Sequence, residues 1–280
     1  MSPSPLLDTG TVRIKAARDG LVAYPVRDEF VGRSVDLYGE WSPGDAAVLR
    51  PYLRPGAIVL DVGANIGTLS LFLAGAVGPG GRVVAFEPVE ATYRLLVTNL
   101  ALNGLRQVEA HRAAVGATPG EVHVPVLDLE RPGNFGAAAL GAAGTGCAVP
   151  AVTIDGLRLP ACDLIKADVE GHEGAVLAGA RETIAAHRPV LLLENEEPSL
   201  SGALVADLLA LGYRLWWHSP PLFRPDNAFG HPVDVFPGLG SLNLLALPAE
   251  RTDLPVPDLL PVSGPADWPE WWPDWSKQGT

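Results

Sequence analysis

The sequence predicts a doubly wound α/β sheet of seven strands, on three observations. From residue 43 onward, short apolar runs bounded by turn residues alternate with helical patterns for about 190 residues, as in a parallel sheet wound on both faces. The runs are continuous rather than alternating, which suits strands covered on both sides. The first of them, AIVLDV, leads straight into a glycine loop and a helix, the place where such sheets bind ligands.

Taken in order, residues 1–43 read as a small β-rich extension of short strands and turns (TVRIKA, LVAYPV), followed by YGEWSP. A helix over 44–53 leads into the turn Arg54-Pro55-Gly56. The seven strands are AIVLDV, RVVAFE, VEAHRAAV, DLIKAD, PVLLLEN, YRLWWH and LNLLAL, with helices over 68–76, 91–103, 174–187 and 201–211. Gly104 and Gly212 stand where two of these helices should stop. EVHVPVL reads as a further strand and GNFGAAALGAAGTG as a loop. The last two main strands, joined by the Pro-rich segment 219–240, suggest an antiparallel pair.

The domain itself is expected over 44–248. Beyond it, 249–280 is a Pro/Trp-rich tail carrying Trp268, Trp271, Trp272 and Trp275. A solvated tail rarely keeps four tryptophans, so it is expected to pack on the domain or on a partner subunit, a homodimer being one such arrangement.

The 280 residues, 48% of them hydrophobic, allow one large α/β domain and exclude global disorder. A net charge of −12, with 20 scattered Lys and Arg, argues against nucleic acid and fits small neutral or cationic molecules. Cys147 and Cys162 lack metal-ligand spacing. The N-terminus has no apolar run of signal-peptide length, and the most apolar stretch, 58–77, is interrupted by Asp61 and Asn65. No membrane association is expected, and the cytoplasm is the expected location.

The loop after the first strand carries Gly63 and Gly67 around Asn65. This Gly63-xxx-Gly67 spacing is not the GxGxxG of a nicotinamide dinucleotide site. Asp61 precedes the loop, where a carboxylate can hold an ammonium group or brace the turn. Glu87 ends the second strand, the position expected to accept hydrogen bonds from ribose hydroxyls.

In combination, DVGANIG, VVAFEP, TIDGL and DLIKADVEGHEGAVLAG resemble the FkbM family of methyltransferases, over roughly residues 38–247. The resemblance implies a Rossmann-like class I methyltransferase fold, S-adenosyl-L-methionine as cofactor, and O-methylation of a hydroxyl on a small-molecule acceptor, a sugar or natural product. Carried over by position, it places Asp61, Gly63, Asn65 and Gly67 at the methionine end of the cofactor, with Glu40 nearby. Glu87 would hold the ribose, Pro88 would shape the next turn, and Ala113 and Ala114 would meet the adenine.

Methyl transfer to an alcohol needs alignment and a base. Asp168, Glu170 and His172 in ADVEGHE, with Glu194 at the next strand tip, are the candidates; Asp168 also borders the cofactor. Crowded carboxylates should raise at least one pKa into the range of a working base. Asp168, Glu170 and Glu194 would equally suit Mg or Ca, and no metal is assigned. Glu173 is expected to cap the following helix. The aromatic connection after the sixth strand is expected to wall the acceptor, with His218 and Asn227 as contacts. An NAD-dependent oxidoreductase and a non-catalytic binding module of the same fold are the rival readings.

Overall fold

Uninterrupted aliphatic runs become the strands of one large sheet. The structure, a computed structural model, describes residues 2–137 and 146–272. The N-terminal part contains β1 (Leu7–Asp8), β2 (Val12–Ala17), β3 (Gly20–Pro25), α1 (Val31–Tyr38) and α2 (Pro43–Leu49). Next come β4 (Ile58–Val62), α3 (Thr68–Val77), β5 (Arg82–Phe86), α4 (Glu90–Leu102), β6 (Val108–His111), β7 (Ala114–Val115), β8 (Gly120–Val124) and β9 (Cys147–Val152). The remainder is β10 (Leu164–Ala167), α5 (Glu173–Ala178), α6 (Arg181–His187), β11 (Val190–Glu194), α7 (Pro198–Ala210), β12 (Tyr213–His218), β13 (Asn243–Pro248) and β14 (Leu260–Pro261).

The main sheet has the order β14-β12-β13-β11-β10-β4-β5-β6. Neighbours from β11 to β6 run parallel, while β13 is antiparallel to both β11 and β12. Strand order reverses between β4 and β10, so their carboxyl ends flank a crevice. Helices α3 and α4 and the N-terminal hairpin bury one face; α5, α6 and α7 bury the other. That two-sided cover explains why β10 and β13 are buried at every position.

The sheet differs from the seven-strand expectation by one edge. Among the described residues it has eight strands, because the tail supplies β14, paired with β12 at Trp216 and Trp217. VEAHRAAV also does not run as one strand. Arg112 turns out to Glu90 (2.7 Å) and Cys147 (3.3 Å), and the chain leaves the main sheet there; β7 joins β9 and β8 in a separate three-stranded sheet.

The expected helix 174–187 is two helices. At Gly179 the backbone packs so closely on the Gly116 carbonyl that a side chain could not fit. Asp155, from TIDGL, then caps α6: its carboxylate accepts from Glu182 N (3.1 Å) and from Thr183 N and Oγ1 (2.8 Å each).

Residues 1–43 are not purely β-rich. Val31, Val35 and Tyr38 carry a helical period that Gly32 and Ser34 obscure in the sequence. Asp28 starts α1 by accepting from Phe30 N and Gly32 N at 3.0 Å each. The extension shares the domain core. Asn99 of α4 accepts from Ala23 N (2.6 Å) and donates to Ala23 O (3.0 Å) and Ile66 O (2.8 Å).

Two late segments wrap this frame. The 219–240 connection docks on α1, where the Tyr38 hydroxyl donates to Val233 O (3.0 Å) and accepts from Val235 N (2.8 Å). The tail lies on its own domain: Trp268 meets Trp217 edge to face at 6.1 Å, and Trp272 is buried with that core. Trp275, and positions 138–145 of the Gly/Ala-rich loop, lie outside the described residues. Among the described residues no helix is long and apolar enough to cross a membrane.

Candidate functional site

The crevice begins where β4 runs out. The chain turns at Gly63 with φ +76°, a left-handed conformation that glycine adopts freely. A side chain there would strike the Asp168 carbonyl at the end of β10, so this glycine lets the two strand tips touch. The Gly63 and Ala64 amides donate to Phe86 O at 3.0 and 2.9 Å. Asn65 N donates to Glu87 Oε2 (2.9 Å), while Val89 N and the Thr92 hydroxyl donate to Oε1 (2.9 Å each). Burial pushes the Glu87 carboxyl up and these donors oppose it. Oε2, with one donor, keeps acceptor capacity.

A cavity of about 440 Å³ opens over the strand tips. Gly63, Asn65, Glu87, Pro88, Ala113 and Ala114 line it on the β5–β6 side. Lys166, Asp168, Glu170, His172 and Glu194 occupy its middle, and Trp41, Asp45, Glu196, Leu222, Leu239 and Asn243 close the side nearest β12.

Lys166 is buried in this middle group. Its ammonium donates to Gly63 O (2.9 Å) and sits 3.4 Å from Asp61 and 3.5 Å from Asp168. Burial alone would depress its pKa, but the Asp168 and Asp61 carboxylates prevail and hold it above the usual value. Oxygens of Asp168, Glu170 and Glu194 lie within 4.8 Å of one another, and Glu170 N donates to Glu194 Oε2 (3.0 Å). Burial, reinforced by Asp168, raises the Glu170 carboxyl to about 7. Burial and the same negative neighbours raise Glu194 well above the usual range. Glu196 also reaches about 7 through burial, although its exposed cavity-side surface lets water moderate the effect. Glu173 opens α5, as expected of a residue at the helix start, and its buried carboxylate accepts from Val169 N (2.9 Å) in the loop that leads in.

Five residues named from the sequence stand off the cavity wall. Asp61 lies beneath the loop, fully buried, bonded to the Ser70 hydroxyl (2.5 Å). Gly67 starts α3 and backs onto Leu96. Glu40 is held by Arg18 (2.6 Å) and Ala228 N (3.0 Å), so it clasps the extension to the 219–240 connection. Asn227 is consumed by Arg224 O and by the His231 backbone, each at 2.8 Å. His218 points to Asp45 (3.0 Å) and borders a smaller groove behind α2.

Lys166, Glu196, Asp45, Asn243 and Trp41 were missed. Lys166 had a signal, a charge inside an otherwise apolar strand run. Glu196 sits two positions from Glu194, the spacing that repeats a face in extended chain. Nothing local in the sequence joins Asp45 to Asn243, 198 positions away.

The sequence matches the methyltransferase FkbM domain over residues 61–215, more than half of the chain. Among solved structures the fold is similar to a methyltransferase FkbM from Methylobacillus flagellatus KT: 19% identity, TM-score 0.47, covering 68% of this chain and 44% of that one. It is also similar to an S-adenosylmethionine-dependent O-methyltransferase from Thermotoga maritima, with 17% identity, TM-score 0.43, and coverage of 75% and 66%. A 48-residue stretch is 56% identical to the AMB antimetabolite synthetase AmbE of Pseudomonas aeruginosa, spanning 17% of this chain but only 2% of that protein.

Proposed function

Because the chain belongs to the FkbM methyltransferase domain family, we propose that it transfers the methyl group of S-adenosyl-L-methionine to a hydroxyl of a small acceptor, a sugar or natural product. The observation that carries this reading is the meeting, at one crevice, of the Gly63 turn, the Glu87 carboxylate and the Asp168–Glu170–Glu194 group. The short stretch shared with an antimetabolite synthetase is in keeping with a natural-product acceptor.

The residues present fit the cofactor. Glu87 Oε2 has capacity for a ribose hydroxyl, Ala113 and Ala114 leave small apolar surroundings for an adenine, and Gly63 and Asn65 border the methionyl part. Lys166 and Asp168 offer opposite charges for an amino-acid carboxylate and ammonium. When bound, S-adenosyl-L-methionine supplies a methyl carbon on a positively charged sulfur.

The remaining work falls to the chain. The crevice would hold an acceptor hydroxyl in line with that methyl carbon, so that the oxygen could take the methyl group and S-adenosylhomocysteine would remain as the second product. The hydroxyl proton passes to Glu170, whose carboxyl, raised to about 7 by burial and by Asp168, suits proton uptake near neutral pH, with Glu194 beside it. The close grouping of Asp168, Glu170 and Glu194 also favours a second reading, in which these three carboxylates would hold a divalent cation whose charge would acidify the acceptor hydroxyl.

Calorimetry with S-adenosyl-L-methionine against NAD tests the central reading, and tight binding of NAD alone would overturn it. Mass spectrometry of acceptor mixtures then looks for a methylated product. Turnover lost in EDTA and restored by Mg would favour the cation-bridged form; turnover indifferent to EDTA would leave proton transfer to the carboxylates.

A further inference from the structure

Resting on the methyltransferase reading, the cavity wall nearest β12 gives information about the acceptor. Apart from Glu196, it is built from chain outside the family-matched span: Trp41 and Asp45 precede residue 61, and Leu222, Leu239 and Asn243 follow residue 215. Strand register sets out a row of polar side chains there. Glu194 on β11 lies opposite Asn243 on β13, which lies opposite His218 on β12.

Asp45, on α2, meets that row. Its Oδ1 accepts from His218 Nε2 at 3.0 Å and Asn243 Nδ2 at 3.2 Å. The residue is only 6% exposed, borders the cavity, and its Oδ2 makes no hydrogen bond among the described residues. An imidazole and an amide therefore aim this carboxylate while leaving one oxygen without a partner.

The surrounding charge is one-sided. Among the described residues lining the cavity, the one Lys or Arg is Lys166, already held between Asp61 and Asp168. No Lys or Arg among them pairs with Asp45. Oδ2, with His218 and Asn243 both on Oδ1, is left open to the cavity as an acceptor, and an anionic acceptor molecule beside Asp45, Glu194 and Glu196 would meet repulsion. We propose that Asp45 binds the acceptor and selects a hydroxylated small molecule carrying a protonated amine, with Trp41 offering an aromatic face to the same cation. His218 is a positioning residue that acts through Asp45.

The test offers the purified protein and S-adenosyl-L-methionine a panel of hydroxylated acceptors in three matched classes: amino sugars and aminocyclitols, their N-acetylated forms, and sugars bearing carboxylate or phosphate. Product mass is read for each. Turnover is expected with the amines, with kcat/KM falling at least about tenfold on N-acetylation, as loss of a buried charge partner implies. Asp45→Asn should raise KM for the amine about tenfold or more, while S-adenosylhomocysteine affinity by calorimetry stays at the wild-type value. His218→Phe should share that KM effect and His218→Gln, which keeps a donor, should recover part of it.

Equal turnover of neutral or anionic acceptors would overturn the proposal and leave the methyltransferase reading standing. So would a panel without turnover from protein that binds S-adenosyl-L-methionine. Reduced S-adenosylhomocysteine affinity in Asp45→Asn would reassign Asp45 to the cofactor. Failure to bind either compound would overturn both readings.

Discussion

At the scale of single residues, Gly63 and Glu87 make the sharpest demands. Gly63→Ala places a methyl group against the Asp168 carbonyl at a left-handed φ, so a loss of roughly 1–3 kcal/mol is expected on strain alone. Denaturant titration checks it, and wild-type stability would mean that the two strand tips need not touch. Glu87→Gln keeps the shape but weakens the acceptor. Affinity for S-adenosylhomocysteine should fall about tenfold, and unchanged affinity by calorimetry would remove the ribose assignment. Glu170, raised to about 7, predicts a rate that climbs as pH passes through neutrality; Glu170→Gln should flatten that limb. Residues of this kind were legible because each closes a strand in a contiguous motif. Asp45 and Asn243 were not, since only the completed sheet brings them together.

At the scale of elements, the TIDGL motif has a structural use that its sequence did not reveal. Asp155 satisfies three donors at the start of α6, so Asp155→Ala should cost about 1–2 kcal/mol, read by urea unfolding. An unchanged midpoint would show that α6 keeps its start without the cap. The strands of the main sheet were readable because apolar runs of that length suit little else once both faces are covered. The misreadings share a cause in tertiary contacts. VEAHRAAV breaks where Arg112 finds Glu90, and the helix after ADVEGHE breaks where Gly179 meets the Gly116 backbone. Neither partner is near in sequence.

For the whole molecule, the acidic crevice should leave a mark on stability. Glu87, Glu170 and Glu194 all have folded pKa values above their unfolded ones. From about pH 4.5 upward the folded chain binds more protons than the unfolded chain, so their contribution is fully present below that pH and is lost as pH rises through the folded values, about 7 for Glu170. Depressed carboxyls such as Asp8, Asp36, Asp226 and Asp253 lose their contribution only as pH falls below the unfolded value of about 3.8, outside this range. Thermal unfolding should occur at a higher temperature at pH 5.5 than at pH 8. A Tm that rises with pH would contradict the arrangement. The polar crevice was readable in outline from strand tips, and so was the part of its wall that the connection after the sixth strand supplies at Leu222; the share of Trp41 and Asp45, from the other end of the chain, was not.

Sheet order also constrains biosynthesis. β13 lies between β11 and β12, yet it is made after both. As the ribosome releases the chain, the apolar edge of β11 has no proper neighbour until residues 243–248 emerge, and β12 has nothing correct to pair with. Such an open edge is where a nascent chain mispairs or sticks to another copy. Slow translation across 219–242 should therefore lower the yield of folded protein, and a chaperone that shields strand edges should restore it.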